Sequence, residues 1–247
     1  MTARTSLVKG NDLALFLDVD GTLLEIAATP DRVRVPASLR NTLQLAFERQ
    51  QGAFALLSGR SLVELDALFG PFRFPASGKH GLEVRLPSGE VVAARVDPAA
   101  LDPARRWLEF LPDEHPGVLF EDKGVAVAIH YRLAPRMEMA IDTIMSEIVA
   151  ELGSGFALRR GKCVVEIVPR GFDERSAIQL FMRQAEFRGR TPVFVGDDPS
   201  DEVGFEAVNE MDGHSIRVGN LDQTRARYRF SSVSTVAAWL RDRNLNR

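Results

Sequence analysis

The chain has 247 residues, of which 45% are hydrophobic and 26% are charged, and its formal net charge is −3. This composition is typical of a globular protein with one large domain or two modest ones, and it excludes a largely disordered chain. The charge balance does not favour nucleic acid as a partner, because its binders usually carry a clear basic excess. A single cysteine excludes an internal disulfide framework and a cysteine-rich zinc site, and it is typical of a reducing compartment.

No apolar run approaches the ~20 residues that a membrane span requires. The polar start over residues 1–6 lacks the apolar core of a signal peptide. We therefore expect a soluble cytoplasmic protein that does not contact the membrane. Nothing in the pattern implies a protein partner.

The first part of the chain alternates between short apolar runs and helical patterns. The runs over 13–18 and 53–57 are too short for helices and predict strands buried on both faces of a sheet. A helical pattern over 37–50 separates them, and Ser61 with Glu64 forms a capping box that predicts the start of a second helix. This alternation indicates a doubly wound α/β sheet.

The middle of the chain has a different pattern, in which strands follow one another directly. A polar hairpin is predicted over 82–94, then a helix over 103–111, strands over 118–121 and 125–131, a helix over 135–152, and strands over 156–160 and 163–168. The α/β pattern then resumes with a helix over 174–187 and strands over 193–195 and 215–218. We predict a Rossmann-like doubly wound parallel core formed by 1–96 and 169–247, with a smaller α+β domain inserted over 97–168.

Two acidic clusters follow predicted strands, at the end of the sheet where ligands bind in open α/β folds. Asp18 and Asp20 form a close carboxylate pair, which pushes two pKa values apart and suits a nucleophile beside a proton donor. Asp197, Asp198 and Asp201 form the second cluster. Converging carboxylates require a cation, and their hard oxygen ligands favour Mg²⁺. The alternative is a solvated acidic turn that caps the next helix.

Small residues beside these carboxylates predict an anion site. Gly21 and Thr22 would let backbone N–H groups approach a phosphate, and Ser58 and Gly59 place a hydroxyl at a predicted helix start. A plain transition from loop to helix would use the same residue types, so this signal is weak by itself.

Three motifs in this order, DVDGTL, SGR and GDDPSDE, resemble motifs one, two and four of the haloacid dehalogenase superfamily. The segments GKHGLEVR, VAIHYR and GKCVVEIVPRG are similar to those of trehalose-6-phosphate phosphatases. The resemblance implies a Mg²⁺-dependent phosphatase with the insert as a cap over its sugar phosphate. Trehalose 6-phosphate is the expected substrate. The alternatives are sucrose phosphate, a mannosyl phosphoglycerate or a hexose phosphate, and a homologue that binds sugar phosphate with weakened catalysis.

The resemblance also implies roles for single residues. Asp18 resembles the nucleophile that forms an aspartyl-phosphate, and Asp20 resembles the acid that protonates the leaving oxygen and then activates water. Asp18, the backbone carbonyl of Asp20 and Asp197 resemble the Mg²⁺ ligands, with Asp198 and Asp201 as outer groups of the same metal site.

Ser58 matches the phosphate-binding hydroxyl of motif two. Sugars require arrays of donors and acceptors, which charged side chains and histidine provide. The residues expected to bind substrate are Gly21, Thr22, Gly59, Arg60, Lys79, His80, Glu83, Lys123, Arg132, Lys162 and Glu166. Lys162 and Glu166 are four apart on a predicted strand and would share a face. A solvated strand face is the alternative for Glu83, Lys123 and Arg132.

The third motif departs from the family pattern. Such phosphatases usually carry a lysine in the segment that reads GFDERS here, and Glu174 occupies the matching position. A carboxylate facing phosphate would repel it, so we expect Arg175, one residue further, to supply the charge in catalysis. Lys79 and Lys162 are the alternatives. The replacement of lysine by arginine is not conservative, because a guanidinium is bulkier and forked.

Overall fold

The computed structural model describes residues 12–26, 33–220 and 223–245, so the polar start at 1–6 lies outside the described residues. The chain divides into two compact units. One is the insert, Ala94–Phe172, and the other consists of the described residues on either side of it. No described helix combines the length and the apolar character that crossing a membrane requires.

The described residues form the following elements in chain order. The larger unit begins with β1 (Leu13–Asp18), α1 (Ala37–Arg49), β2 (Phe54–Leu57), α2 (Leu62–Phe69), β3 (Ala76–Gly78), β4 (Glu83–Arg85) and β5 (Val91–Ala93). The insert contains α3 (Asp102–Leu108), α4 (Leu111–Glu114), β6 (Leu119–Asp122), β7 (Val127–His130), α5 (Glu138–Leu152), β8 (Phe156–Gly161) and β9 (Val164–Pro169). The larger unit resumes with α6 (Glu174–Met182), β10 (Thr191–Gly196), α7 (Glu202–Glu210), β11 (His214–Val218), β12 (Tyr228–Phe230) and α8 (Val233–Leu245).

The larger unit is built on one eight-stranded sheet with the order β12-β11-β10-β1-β2-β3-β4-β5. The six strands from β12 to β3 are parallel, and β4 and β5 add an antiparallel hairpin at one edge. β1 and β10 pair in register at the centre, so their carboxyl ends lie side by side. The predicted doubly wound α/β fold with an α+β insert is confirmed.

Alternation along the central strands divides the core between the two faces of this sheet. Successive side chains of a strand point to opposite faces. One buried cluster contains Leu13, Leu15, Leu17, Val193 and Val195, and the other contains Ala14, Phe16 and Phe194. Because both faces are covered, the central strands are apolar throughout, as the sequence predicted.

The insert is an antiparallel sheet with the order β6-β7-β9-β8, covered by helices on one face. Val127, Ile129, Val165 and Ile167 of its central strands share a buried cluster with residues of α3 and α5. The compact insert, Ala94–Phe172, extends a few residues beyond the predicted boundaries near 96 and 169. Its assignment as a cap domain with those boundaries stays a prediction.

Two predicted helices end earlier than their patterns indicated. The helix predicted to reach 187 ends at Met182, because the chain turns and places the Phe187 ring 5.3 Å from that of Phe181 and 5.4 Å from that of Phe16. A continuous helix would put residues 181 and 187 about 120° apart around its axis. The helix predicted over 103–111 ends at Leu108, and a separate short helix follows.

Candidate active site

The carboxyl ends of β1 and β10 carry the acidic cluster of the larger unit. Asp18 is the last residue of β1, and Asp197 follows β10 directly. One carboxylate oxygen from each of Asp18, Asp197 and Asp201 lies within 4.8 Å of the other two. Asp197 and Asp201 are buried, and Oδ2 of Asp18 is buried without a hydrogen-bond partner among the described residues. The fold therefore brings three of the predicted metal-site residues together.

Burial and mutual repulsion raise the pKa of two of these carboxyl groups. The pKa of Asp18 lies well above its ordinary range, first because of burial and then because of the charges of Asp201, Asp197 and Asp20. The pKa of Asp201 is raised by burial and, next, by the charge of Glu174. A divalent cation would relieve this repulsion, and carboxylate oxygens are the ligands that Mg²⁺ prefers. The residues present therefore fit a divalent cation.

The turn after β1 packs directly on the cluster. Gly21 has a φ of +92°, and a Cβ atom there would lie 2.2 Å from Oδ2 of Asp197. Only glycine can occupy this position. Its N–H donates to the carbonyl of Leu24 at 2.6 Å, and the neighbouring Thr22 is fully buried. Gly21 thus allows a close approach to Asp197, and its N–H is not directed at an anion as the sequence suggested.

Arg60 forms a bidentate ion pair with Asp20. Its Nε lies 2.6 Å from Oδ2 and its Nη2 lies 2.7 Å from Oδ1 of that carboxylate. The Arg60 side chain is one-tenth exposed and the Asp20 side chain is about one-third exposed, so water reaches the pair from the carboxylate side. The structure therefore joins the predicted proton donor to a residue predicted to bind substrate.

Two loops meet beside this pair. The N–H of His80 donates to the Ser58 carbonyl at 2.9 Å, and the N–H of Lys79 donates to the Arg60 carbonyl at 2.8 Å. The Ser58 side chain is buried, and its Oγ accepts from the N–H of Arg60 at 3.1 Å. Nδ1 of His80 lies 2.6 Å from Oε1 of the buried Glu174. Four residues predicted to bind substrate or phosphate thus lie on two linked loops. His80 connects these loops to Glu174, which stands in the third motif where the sequence departs from the family pattern.

Two predicted site residues have capping roles in the structure. Oε1 of Glu83 accepts from the N–H of Leu62 at 2.7 Å, at the first residue of α2. Oδ1 of Asp198 accepts from the N–H of Ser200 at 3.0 Å, and the N–H of Asp198 donates to Oδ2 of Asp201 at 2.8 Å. Asp198 therefore holds the turn that orients Asp201 in the cluster, and Glu83 satisfies an N–H at a helix start.

The structure does not bring Arg175 to the cluster. Its guanidinium pairs with Glu206, at 3.2 Å, and with Glu210, at 2.5 Å. Glu210 is nine residues beyond Asp201, which is roughly 13 Å along a helix. Successive residues of a helix point about 100° apart. The start of α6 therefore directs Glu174 inward and directs Arg175 toward the side chains of α7. The expected replacement cation is therefore paired elsewhere in this geometry.

The insert carries a charged network, which we define as Glu121, Lys123, His130, Arg159 and Glu166. The register places Glu121 and Glu166 on either side of Ala128, with Arg159 opposite Glu166. The Lys123 ammonium contacts Oε1 of Glu166, Nη1 of Arg159 lies 3.9 Å from its Oε2, and Nε2 of His130 lies 2.7 Å from Oε2 of Glu121. Two predicted substrate residues, Lys123 and Glu166, thus meet on the sheet face opposite the apolar cluster.

The prediction that Lys162 and Glu166 share a strand face is wrong. Gly161 pairs with Val164, so Lys162 lies in the two-residue turn between β8 and β9, where Cys163 has a φ of +62°. Nη2 of Arg132 donates to the Lys162 carbonyl at 2.8 Å, which brings these two predicted residues together at the turn.

Sequence reasoning missed Arg217 behind the acidic cluster. Its side chain is 2% exposed, Nη2 donates to the Asp197 carbonyl at 2.6 Å, and Nη1 donates to Oε1 of Glu202 at 2.8 Å. A charged residue inside the apolar run of β11 was the available signal, since buried charges occur where they are paired. In the insert, Glu121, His130 and Arg159 were missed because strand register, which sequence does not supply, creates their contacts.

Comparison with known proteins agrees with this geometry. A family model described as trehalose-phosphatase matches residues 16–234. The chain is 45% identical over 227 residues to the trehalose-6-phosphate phosphatase of Escherichia coli (strain K12), covering 92% of this chain and 85% of that protein. The C-terminal domain of C. albicans trehalose-6-phosphate phosphatase superposes with a TM-score of 0.86 at 19% identity, over 95% of this chain and 92% of that chain.

A phosphatase of the haloalkanoate (HAD) enzyme superfamily from Bacteroides thetaiotaomicron has the same fold, with a TM-score of 0.59 at 19% identity over 96% of this chain and 97% of that chain. At these identities the two solved structures establish the fold, and the family follows from the sequence matches. The predicted similarity to trehalose-6-phosphate phosphatases is confirmed. The chain belongs to the trehalose-phosphatase family and is a phosphatase.

Proposed function

We propose that this chain hydrolyses trehalose 6-phosphate to trehalose and phosphate, with Mg²⁺ as cofactor and an aspartyl-phosphate on Asp18 as intermediate. The observation that carries the proposal is the buried cluster of Asp18, Asp197 and Asp201, whose oxygens lie within 4.8 Å of one another. The substrate named for the E. coli relative, at 45% identity, supports trehalose 6-phosphate over other sugar phosphates.

Asp18 would act as the nucleophile. Its carboxylate attacks phosphorus, a new O–P bond forms, and the bond between phosphorus and the sugar oxygen breaks. Asp18, Asp197 and the carbonyl of Asp20 would hold Mg²⁺, with Asp201 as a further group of the site. When bound, Mg²⁺ supplies positive charge that offsets the phosphate and the carboxylates.

Asp20 would move the proton in both half-reactions. It donates a proton to the departing sugar oxygen, and it then takes one from the water that attacks the aspartyl-phosphate and restores Asp18. Both Asp20 oxygens accept from Arg60 in the structure, so this pair must separate before Asp20 can carry and deliver a proton. Arg60 would then be available to the phosphate, as the family motif suggests.

Each unit offers side chains suited to substrate recognition. Ser58, Arg60, Lys79 and His80 lie on the two joined loops of the larger unit. Lys123 and Glu166 of the charged network, with Arg132 and Lys162 at the β8–β9 turn, offer donors and acceptors for sugar hydroxyls. A cytoplasmic location stays a prediction that rests on the single cysteine.

The first test measures phosphate release from trehalose 6-phosphate, sucrose 6-phosphate, a mannosyl phosphoglycerate and glucose 6-phosphate, with Mg²⁺ and with EDTA. Selective, Mg²⁺-dependent turnover of trehalose 6-phosphate is expected. Acid quenching followed by mass spectrometry should find a phosphoryl group on the peptide that contains Asp18. Equal turnover of all four compounds would discard the substrate. Full activity in EDTA, or phosphate on another residue, would discard the mechanism.

The charge of Glu174 beside Asp201 supports the second candidate, a homologue that binds sugar phosphate with weakened catalysis. Calorimetric binding of trehalose 6-phosphate without release of phosphate would favour that candidate over the first.

A further inference from the structure

Glu174 and His80 form a buried pair that links the acidic cluster to the phosphate loops. Nδ1 of His80 lies 2.6 Å from Oε1 of Glu174, whose side chain is 3% exposed. Glu174 also acts on Asp201, since its charge is the largest electrostatic contribution to the raised pKa of that carboxyl group. The side chain thus lies between the cluster and the turn that carries His80.

The backbone around His80 is held in a conformation that few side chains adopt. Lys79, His80 and Gly81 have φ values of +47°, +53° and +95° in succession. A Cβ atom at Gly81 would lie 2.9 Å from the carbonyl oxygen of Asp173, the residue before Glu174. Left-handed conformations of non-glycine residues persist where the surroundings fix them, and they concentrate at functional sites.

The ring of His80 is directed toward the loop that contains Ser58 and Arg60. A Cβ atom at Gly59 would lie 2.5 Å from Nε2 of His80, so the glycine allows the ring to lie against this loop. The His80 side chain is 17% exposed, so the ring is not fully sealed from solvent.

The contact with Glu174 determines which ring nitrogen carries the proton in neutral His80. A carboxylate accepts hydrogen bonds, so the proton lies on Nδ1 and Nε2 becomes the acceptor nitrogen. We propose that Glu174 is a positioning residue, which orients His80 and fixes its tautomer so that Nε2 accepts a hydrogen bond from a hydroxyl group of the sugar phosphate. This inference rests on the proposed function and adds to it the residue that sets one substrate contact.

The tautomer is measured directly in the full chain, because the chain contains four histidines and their ¹⁵N chemical shifts distinguish a protonated from an unprotonated ring nitrogen. His80 is assigned with the variant His80→Asn, since asparagine tolerates a left-handed backbone. We expect the Nδ1–H form in the unsubstituted protein. In Glu174→Gln, whose amide both donates and accepts, both tautomers should be populated. Glu121→Gln is the matched control, because it should alter the His130 signals and leave those of His80 unchanged.

Kinetics separate positioning from a structural role. Glu174→Gln should raise KM about 10-fold, the effect of one hydrogen bond, and leave kcat within about 3-fold. His80→Asn should give a similar KM, and the double variant should be no worse than His80→Asn alone. An unchanged tautomer in Glu174→Gln would overturn the inference. If the KM effects of the two substitutions multiplied in the double variant, the inference would also be overturned. A raised Mg²⁺ requirement at unchanged KM would overturn it too, because Glu174 would then act through Asp201.

The proposed function fails on a different result. If the unsubstituted protein released no phosphate from trehalose 6-phosphate, the function would be lost before any variant is compared. If the unsubstituted protein is active while Glu174→Gln changes neither tautomer nor KM, only the inference is lost.

Discussion

The acidic cluster of the larger unit and the charged network of the insert both bury charged side chains, but the network includes cations that balance its carboxylates. Burial alone would lower the pKa of Lys123, yet contacts with Glu166 and Glu121 outweigh it and the pKa is raised. In the acidic cluster burial raises the pKa of Asp18, and its neighbours raise it further because they are also carboxylates. Buried opposite charges hold each other in place, whereas converging like charges require a ligand. The acidic cluster therefore fits a cation, whereas the charged network is balanced by its own side chains.

The largest expected effect comes from removing one charge of the cluster. Asp18→Asn should lower kcat by at least about 10³-fold, since it removes the proposed nucleophile. The same change should raise the melting temperature of the metal-free protein, because one repelling carboxylate is gone. Mg²⁺ should then stabilise the variant less than the unsubstituted protein. Phosphate release and calorimetric unfolding, each with Mg²⁺ and with EDTA, measure these effects.

Asp142→Asn is the control for Asp18→Asn, because it removes an exposed carboxylate that pairs with Arg160 in the insert. Exposed ion pairs contribute about 0–1 kcal/mol, so little change in stability is expected from the control. A lower melting temperature for metal-free Asp18→Asn would contradict the idea that repulsion dominates the cluster.

The next effect concerns the cation behind the cluster. Arg217→Met should lower the free energy of unfolding by about 3 kcal/mol, because it leaves Glu202 and the Asp197 carbonyl without their buried donor. Thr224 still donates to Glu202, so we expect a loss near the lower end of the range for removing one partner of a buried ion pair. Urea denaturation measures the loss, with Arg217→Lys as the charged control. A loss below about 1 kcal/mol would mean that the ion pair of Arg217 with Glu202 does not hold the segment that follows β10.

In the insert, Lys123→Met should cost less than Arg217→Met. The Glu166 carboxylate would still have Nη1 of Arg159 at 3.9 Å, so we expect a smaller loss of local stability, about 2 kcal/mol. Replacing both partners, in Lys123→Met with Glu166→Met, should recover most of that loss, because no buried charge is left without its partner. Hydrogen exchange of β9 peptides reports the local change. A double variant as unstable as Lys123→Met would show that packing, and not charge pairing, holds the network.

The sequence predicts the fold where local pattern decides it. The apolar runs that became β1 and β2 and the capping box at Ser61 were correct, since burial on both faces and cap chemistry are local properties. β3 and β12, three residues each, carry too little pattern to be found and exist because the sheet pairs with them. The early end of α6 depends on where Phe187 packs, which is a tertiary effect.

The candidate site was predictable in its motifs but not in its partners. Asp18, Asp197 and Asp201 could be grouped because parallel strands end at one edge of a sheet. The pairing of Arg60 with Asp20 and the inward direction of Glu174 depend on contacts between segments far apart in sequence. Lys162 lies in the turn because the connection between β8 and β9 has only two residues. The sequence does not fix the length of that connection.

The smallest effects are two pH dependences of opposite sign. The pKa values of Asp18 and Asp201 are raised in the fold, so without metal they stabilise it most below their ordinary pKa of about 4, and this stability is lost as pH rises through the raised values. For Glu121, burial alone would raise the pKa, but the hydrogen bond from His130 and the charge of Lys123 lower it. Its contribution is therefore present above about pH 4.3 and is lost as pH falls through the lowered value.

Raising the pH from 4.5 to 7 in EDTA should thus loosen the larger unit while the insert keeps its stability. Each pKa unit of difference between folded and unfolded states corresponds to about 1.4 kcal/mol. Hydrogen exchange, corrected for its intrinsic pH dependence, should show faster exchange in β1 and β10 peptides and no change in β7 and β9 peptides. Mg²⁺ should remove the pH effect in β1 and β10, because a bound cation favours the ionised carboxylates. The same slope in both units, or a slope that Mg²⁺ leaves unchanged, would mean that the two sets of buried charges are held in the same way.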